Sequence, residues 1–420
     1  MTAVVLIATL FGLLLIGAPI AFSLGVSSLV ALVTTGDLPL SIIPQRLFTS
    51  TDSFVLLAVP FFVLAGELMQ NGGISRRLVN FAGNLLGWIS GGLALVSIAS
   101  SAFFAAISGS SAATTAAIGS IMYPEMLKRH YKPDFAAAVQ AVGGTLGVII
   151  PPSIPLIIYG VITGTSVGDL FLAGIVPGIL GALAYMAVAW NISRKQGHQL
   201  EARGSFTQTW QSFLDAFWGL LMPVIILGGI YGGVFTPTEA AVVAVVYATL
   251  VGALIYKELN FKNFYQIFVK AGLTSAMIML LIAAASVFTW IMTINSIPQV
   301  IGHTVLSLTE NKIVLLLLVN LVFLVVGMFL DTVAIMLLLT PIFFPIATQL
   351  GMDPVHFGIM AVFNLAVGQM TPPFGVCLFV SSGITRVRVE KLFRSVLPFL
   401  LAALLLILLV TYVPALSLRF

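Results

Sequence analysis

The chain has 420 residues, of which 60% are hydrophobic and 8% are charged, and its formal net charge is +4. Water-soluble domains carry about 25% charged residues, so this composition excludes a soluble globular protein and indicates a membrane protein. The basic residues lie in short loops between apolar segments, which indicates a role in membrane topology, and no nucleic-acid partner is expected. The single cysteine, Cys377, excludes an intramolecular disulfide and a cysteine-rich metal site.

Apolar runs follow one another along the whole chain and predict an all-α polytopic fold surrounded by a lipid bilayer. About ten spans are predicted, near 3–16, 20–34, 53–70, 135–160, 170–192, 214–233, 238–256, 270–294, 356–382 and 396–416. Two further segments, near 92–126 and 313–347, are predicted as re-entrant helical hairpins, since small or polar residues interrupt each one. The N-terminal segment lacks a basic region and a cleavage site, so it is predicted as a first span and not as a signal peptide.

Residues 110–153 and 331–374 are two copies of one unit, 221 positions apart. Four prolines of the first copy fall on prolines of the second: Pro124, Pro133, Pro151 and Pro152 on Pro345, Pro354, Pro372 and Pro373. Each copy ends in a Pro-Pro pair, which cannot continue the helical hydrogen bonds and predicts a broken helix near 135–160 and near 356–382. In a bilayer such backbone is tolerated only where protein buries it or it lines a cavity. Paired breaks in matching halves therefore predict the binding site of a secondary transporter.

The charges predict the topology of an inverted repeat. Each half contains five spans, an odd number, so the second half should cross the membrane in the opposite direction. With the N-terminus outside, every lysine and arginine falls in an inner loop except Arg46, Lys312 and Arg419, as the positive-inside rule requires. The predicted domains are a first repeat at 1–192, a cytoplasmic connector at 193–213 and a second repeat at 214–420. Both termini are predicted on the periplasmic side of a bacterial or archaeal inner membrane.

The centre of the first hairpin reads Ile107-Ser-Gly-Ser-Ser-Ala-Ala-Thr-Thr115. Its hydroxyls and freed carbonyls suit a hard monovalent cation, and its exposed helix N-terminus favours an anion. The alternative is that small residues merely let the helices pack closely. The position of this tip opposite a Pro-Pro break favours the binding site.

The centre of the second hairpin contains Asp331, at the position equivalent to Ser110. A carboxylate inside a membrane is costly and indicates a functional site. An aspartate can also cap the second arm of the hairpin at its N-terminus, and the two roles are compatible. Asn364, Gln369 and Thr371 add polar groups at the second break.

Other polar residues have structural interpretations. Thr236-Pro-Thr-Glu239 predicts a capping box at a helix N-terminus. Glu67 is predicted as an interfacial or scaffold contact and not as a proton relay. The four histidines lie in predicted loops without metal-ligand spacing: His130, His198, His303 and His356. No transition-metal site and no cofactor are expected.

The chain resembles the large membrane subunit of tripartite ATP-independent periplasmic (TRAP) transporters, a DctM-like family within a wider ion-transporter superfamily. The resemblance lies in ISGSSAATTAAIGSIMYPEM (107–126), GGTLGVIIPPSIPLIIYG (143–160), GGVFTPTEAAVVAVVYA (232–248) and GQMTPPFG (368–375). Members of this family are sodium-driven importers of organic acids, chiefly carboxylates such as C4-dicarboxylates and sialic acids. The resemblance therefore implies a permease subunit of a sodium-coupled organic-acid importer.

The same resemblance implies an elevator-type transport domain, built from the hairpin tips and broken helices, that moves against a scaffold. It implies sodium sites, one in each repeat, drawn from Ser108, Ser110, Ser111, Gly144, Gly147, Asp331, Thr332, Gly368, Gln369 and Thr371. It implies a substrate site between the tips, drawn from Ser110, Ser111, Thr114, Pro151, Pro152, Thr332, Pro372 and Pro373.

Two partners are also implied, a small four-span membrane subunit and a periplasmic substrate-binding protein. No extra four-span segment precedes the first span, so the small subunit is expected to be a separate polypeptide. The main alternative is a stand-alone cation-coupled organic-anion carrier of the same superfamily. An intramembrane hydrolase based on Ser108–Ser111 is disfavoured because no predicted span supplies a histidine base. A passive channel is disfavoured because paired broken helices suit alternating access.

Overall fold

The computed structural model of the protein describes residues 2–35, 39–196, 205–308 and 311–418, and its regular structure there is helical. In chain order the α-helices are α1 Thr2–Leu15, α2 Ile20–Thr35, α3 Ile42–Thr51, α4 Ala58–Asn71, α5 Ile74–Leu86, α6 Gly92–Ser108, α7 Ser111–Lys128, α8 Pro133–Ile149, α9 Ile154–Thr163, α10 Val167–Gln196, α11 Phe206–Tyr231, α12 Pro237–Leu250, α13 Phe261–Ile294, α14 Ile297–Leu308, α15 Lys312–Gly327, α16 Thr332–Gln349, α17 Pro354–Gly368, α18 Val376–Thr385 and α19 Val389–Tyr412. His198, Arg203, Arg419 and the centre of the connector predicted at 193–213 lie outside the described residues.

Seven segments of the described chain have the length and hydropathy to cross a bilayer, with α8 and α9 counted together as one, or eight if the bent pair α3–α4 also counts as one span. This confirms the predicted all-α polytopic membrane fold. Six apolar helices are shorter. They are α6 and α15, which are the first arms of the two hairpins, α17 and α18, which are the halves of the second broken helix, and α1 and α2. The number of about ten spans and the inversion of the second half stay predictions.

The helices of the two repeated units correspond at the predicted spacing. The first hairpin consists of α6 and α7, and the second consists of α15 and α16. The first broken helix consists of α8 and α9, with its break at 150–153, and the second consists of α17 and α18, with its break at 369–375. The Pro-Pro peptide bond in each break is cis. Helix α16 begins and ends 221 residues after α7 begins and ends. The second arms of the two hairpins therefore have the same length and the same position within their units.

Helix boundaries follow from local sequence. Thr236 and Glu239 form a capping box, with Thr236 N donating to Glu239 Oε2 at 2.8 Å and Glu239 N donating to Thr236 Oγ1 at 3.3 Å. This confirms the structural role predicted for the TPTE segment. Pro133, Pro237 and Pro354 each occupy the first helical position, where the missing N–H would have no partner in the helix.

Three helices were not predicted from the sequence: α3, α5 and α14. Each has 10 to 13 residues, too few for a span, so a search for long apolar runs passes over them. The loop predictions for His303 and His356 are wrong, and His303 lies within α14. Asp353 caps α17 through Val355 N and His356 N, which brings the buried His356 into the first helical turn.

The helices pack into two groups around different centres. In one group α8 contacts α6, α7, α17, α18 and α19, and it is buried on nearly all its faces. Its alanines and glycines permit this close packing from every side. In the other group α4 and α13 contact each other, while α12 packs on α4 and α2 packs on α13. The groups meet where α4 contacts α6 and where α13 contacts α16, so both hairpins lie at the junction.

Candidate functional site

The tip of the first hairpin is a tight turn between two helices. Gly109 ends α6 with φ +61°, a conformation that glycine adopts without strain. Ser110 caps α7, and its Oγ accepts from Ala113 N at 3.4 Å. The hydroxyls of Ser108 and Thr114 lie 2.8 Å apart, and Thr114 Oγ1 also donates to Ser110 O at 2.8 Å. Polar side chains thus cap α7 and stabilise the turn.

The first break lies directly against this tip. Ile154 N, at the start of α9, donates to Gly109 O at 3.4 Å, and Ser153 Oγ donates to Val148 O at 2.6 Å. Gly147 of α8 has no side chain to separate it from the tip, because a Cβ there would lie 2.6 Å from the carbonyl carbon of Ser110. The break and the tip therefore form one packed unit.

The tip of the second hairpin is capped by a carboxylate. Asp331 Oδ1 accepts from Val333 N at 2.9 Å, so Asp331 is the N-cap of α16, as the capping interpretation predicted. The next residue, Thr332, is buried, and its hydroxyl accepts from Gln369 Nε2. The cap and the amide contact fix the second tip against the second break.

The second break is held by its own polar groups. Cys377 N donates to Gln369 O at 3.0 Å, and Thr371 Oγ1 donates to Val367 O at 2.7 Å. Gly368 packs on Gly327, the last residue of α15, so closely that a Cβ on Gly368 would lie 2.7 Å from the Gly327 carbonyl carbon. Gly147 and Gly368 are 221 residues apart, and each brings a broken helix into backbone contact with a hairpin.

Both tips face one cavity of about 330 Å³. The first hairpin and the first broken helix contribute Ser108, Gly109, Ser110, Ser111, Ala112, Ala113, Val148, Ile154 and Pro155. The second hairpin and the second break contribute Asp331, Thr332, Val333 and Gln369. The remaining wall comes from Val63, Gly66, Glu67 and Gln70 of α4 with Thr274, Met277 and Ile278 of α13. The N-terminal turns of α7, α9 and α16 all reach this cavity. Hydroxyl, carboxylate and amide oxygens from both repeats thus surround one space.

The residues predicted for the substrate and sodium sites divide into two sets. Those that line the cavity are Ser108, Ser110, Ser111, Asp331, Thr332 and Gln369. The others do not line it: Thr114, Gly144, Gly147, Pro151, Pro152, Gly368, Thr371, Pro372 and Pro373. Several residues of this second set contact the tips from behind. Gly144 packs on Thr115, and Gly147 packs on Ser110.

One wall of the cavity was not predicted from the sequence. It is formed by residues of α4 and α13, and Glu67 is one of them. Glu67 Oε1 lies 2.8 Å from Lys270 Nζ, so the predicted scaffold contact exists between α4 and α13. The available signal was an acidic residue within an apolar span, and that signal alone does not indicate which cavity the residue faces.

Residues 7–416 match the family model described as "Tripartite ATP-independent periplasmic transporter, DctM component". The chain belongs to this family. It is a TRAP transporter permease subunit and a multi-pass membrane protein, and it is not an enzyme. The family assignment excludes the intramembrane hydrolase considered from the serine cluster.

Curated relatives of this DctM-family chain are permeases for different substrates. It is 47% identical over 408 residues to an isethionate TRAP transporter permease protein, DctMQ, of Oleidesulfovibrio alaskensis, and the match covers 97% of this chain and 64% of that protein. It is 40% identical to a C4-dicarboxylate TRAP transporter large permease protein, DctM, of Rhodobacter capsulatus, covering 100% of this chain and 98% of that protein. It is 40% identical to the sialic acid TRAP transporter large permease protein SiaM of Vibrio cholerae, covering 97% and 95%.

A solved structure shares the fold. The YdaH transporter of Alcanivorax borkumensis, whose topology is described as unusual, superimposes with a TM-score of 0.64 over 88% of this chain and 86% of that chain. The sequence identity is 14%, so this likeness concerns the arrangement of helices alone.

Proposed function

We propose that this DctM-family chain is the membrane subunit through which a sodium-coupled TRAP system imports an organic acid. The observation that carries the proposal is the meeting of the two hairpin tips, with Ser110 and Asp331 at equivalent positions, in one cavity at the junction of the two helix groups. Hydroxyl, amide and carboxylate oxygens fit a hard monovalent cation such as sodium. The residues that would hold it are Ser108, Ser110, Ser111, Asp331, Thr332 and Gln369.

The charges of the cavity support coupling to a cation. Its charged lining residues within the described chain are Glu67 and Asp331, and no lysine, arginine or histidine lines it there. Lys270 balances Glu67, which leaves Asp331 without a basic partner among the lining residues. An anion about 4 Å from Asp331 meets a repulsion of about 4 kcal/mol at an effective dielectric constant of about 20, or roughly a thousandfold in affinity. A bound cation beside Asp331 removes this repulsion, so substrate and cation bind together.

The helix ends support an anionic substrate. The first turns of α7 and α9 line the cavity, and helix N-termini carry a partial positive charge that stabilises anions without a basic side chain. The N-terminus of α16 is already capped by the Asp331 carboxylate. The names of the relatives agree, because isethionate, C4-dicarboxylates and sialic acid are all organic anions. The proposed substrate is therefore an organic acid.

The family description also supports partners and a location. A tripartite periplasmic transporter requires a small membrane subunit and a periplasmic binding protein, which we propose as the partners of this chain in a bacterial or archaeal inner membrane. The two helix groups support an elevator mechanism in which the group around α8 moves against the group around α4 and α13. The charge of the loops supports periplasmic termini.

Transport in proteoliposomes tests the proposal. The chain would be reconstituted with its small subunit and binding protein, and uptake of labelled organic acids would be measured with sodium, potassium or choline outside. Uptake that requires both sodium and the binding protein is expected. Sodium-driven uptake without the binding protein would replace the tripartite proposal with a stand-alone carrier. Equilibration that ignores every cation gradient would contradict coupled transport altogether.

A further inference from the structure

Cys377, the one cysteine of the chain, lies where the second broken helix meets the first repeated unit. It is fully buried in the first turn of α18, and α18 packs on both α7 and α8. The thiol interacts with the side-chain hydroxyls of Ser111 and Thr115 on α7. A buried cysteine usually packs as a small apolar residue, whereas this thiol is surrounded by polar groups.

On its other side Cys377 bonds to Gln369 of the second break at two points. Cys377 N donates to the Gln369 carbonyl oxygen at 3.0 Å, and Cys377 Sγ donates to Gln369 Oε1 at 3.5 Å. Gln369 Nε2 donates in turn to Thr332 Oγ1 on the second tip. An amide whose oxygen accepts from the thiol presents its nitrogen to the opposite side. The thiol therefore directs the donor group of Gln369 towards Thr332.

These contacts form a continuous polar connection between the two hairpins. Ser111 and Thr332 line the cavity on the first and second tip, and Cys377 does not line it. The bond from Gln369 takes one lone pair of Thr332 Oγ1 and leaves the other for a cation. Gln369 is 1% exposed, so water does not compete for its amide. Movement of the thiol would thus move a predicted cation ligand without touching the cavity.

We propose that Cys377 is a positioning residue for cation binding, which holds the Gln369 amide, and through it the Thr332 hydroxyl, in place relative to Ser111. The inference rests on the proposed function and adds to it a residue outside the cavity. Residues that orient the ligands of a metal ion contribute about 10- to 100-fold to its affinity. A thiol is a weak donor, so we expect a smaller factor of about 3- to 10-fold here.

Substitutions of Cys377 can separate positioning from packing. Cys377→Ala removes the donor, whereas Cys377→Ser keeps one, and a hydroxyl needs only a small movement to reach the Gln369 amide. Ser381→Ala is the matched control. Ser381 is buried one turn further along the same helix, and its Oγ donates to Ala137 O of α8 at 2.7 Å. It therefore loses a buried contact with the first repeated unit but has no connection to the tips.

The experiment measures uptake by the complete reconstituted transporter as a function of external sodium. Cys377→Ala is expected to raise the sodium concentration for half-maximal uptake by about 3- to 10-fold and to keep Vmax at saturating sodium. Cys377→Ser and Ser381→Ala are expected to stay within about twofold of the wild type. The rise in unfolding temperature that sodium causes in the purified complexes gives a second measure of cation binding, and it should require 3- to 10-fold more sodium in Cys377→Ala.

A double substitution tests whether the thiol acts through the amide. Gln369→Met removes the amide, so adding Cys377→Ala to it should change sodium activation by less than about twofold. Substitutions that act through one shared contact are not additive. A further 3- to 10-fold rise in the double variant would overturn the connection through Gln369.

Three other results would overturn the inference and leave the proposed function intact: normal sodium activation in Cys377→Ala, an equal rise in Ser381→Ala, or an equal rise in Cys377→Ser. Uptake by the wild type that does not respond to sodium would overturn the proposed function itself. If Cys377→Ala is not recovered as a folded complex, Cys377→Val fills the space without a donor and should show the same rise.

Discussion

Adding one methyl group at Gly147 or at Gly368 should displace a hairpin tip. A Cβ at Gly147 would lie 2.6 Å from the Ser110 carbonyl carbon, and a Cβ at Gly368 would lie 2.7 Å from the Gly327 carbonyl carbon. Both neighbours are backbone atoms, which cannot rotate away as a side chain can. Carbon atoms pack at about 3.5 Å or more, so each hairpin must move by about 0.8 Å or more.

The two substitutions should affect sodium activation of uptake more than the free energy of folding. Overpacking costs about 1–3 kcal/mol, whereas exchanging glycine for alanine inside a helix gains about 1 kcal/mol. The net loss of folding free energy should therefore be about 2 kcal/mol at most. The cation ligands at the tips are displaced by nearly 1 Å. A displacement of that size lowers the activity of a site that depends on exact geometry by roughly 10²-fold. We expect the sodium concentration for half-maximal uptake to rise about 10- to 100-fold.

The assay is uptake into proteoliposomes as a function of external sodium, with thermal unfolding of the same purified complexes measured in parallel. Gly383→Ala in α18 is the control, since a Cβ there meets no atom within 4 Å. It should retain normal sodium activation and equal or slightly higher thermal stability. Normal sodium activation in both Gly147→Ala and Gly368→Ala would refute the reasoning, because it would mean that the contacts between broken helices and hairpins do not position the site.

Four further substitutions test the two hairpin tips and one helix cap outside them. Asp331→Asn keeps the helix cap but removes the charge, so sodium activation should weaken at least tenfold with little loss of thermal stability; unchanged sodium activation would remove Asp331 from the cation site. Ser110→Leu or Ser111→Leu fills the cavity and should abolish uptake while expression stays normal, whereas normal uptake would leave the first tip with a packing role only. Asp353→Ala removes the acceptor for His356 N and should lower stability by about 1 kcal/mol. A sodium defect in Asp353→Ala as large as that of Asp331→Asn would contradict the assignment of the site to the tips.

Features with a strong local signal could be predicted from the sequence. The second hairpin, predicted near 313–347, consists of Lys312–Gly327 and Thr332–Gln349, because a long apolar run is interrupted once by a good capping residue. The breaks could be placed because a Pro-Pro pair cannot continue a helix. The capping role of Asp331 followed from its type and its position in the turn.

Features that depend on packing between distant residues could not be predicted in this way. Thr114, predicted at the substrate site, bonds through its hydroxyl to Ser108 and to the Ser110 carbonyl, and its part in substrate binding stays a prediction. Glu67 was interpreted as a scaffold contact, and its Lys270 pair agrees with that. Its place at the cavity depends on how α4 packs against the first hairpin, which no sequence period encodes.

The burial of α8 has a consequence for biosynthesis. Ser381 Oγ donates to Ala137 O at 2.7 Å across 244 residues of sequence, and Ser395 Oγ donates to Asp134 Oδ2 at 2.8 Å. When α8 enters the membrane, the residues that complete its surroundings have not yet been synthesised. Until they are synthesised, α8 lacks these contacts, and the first half of the chain cannot complete its folding alone. Fragments cut at the connector should therefore assemble only when both halves are made in the same cell.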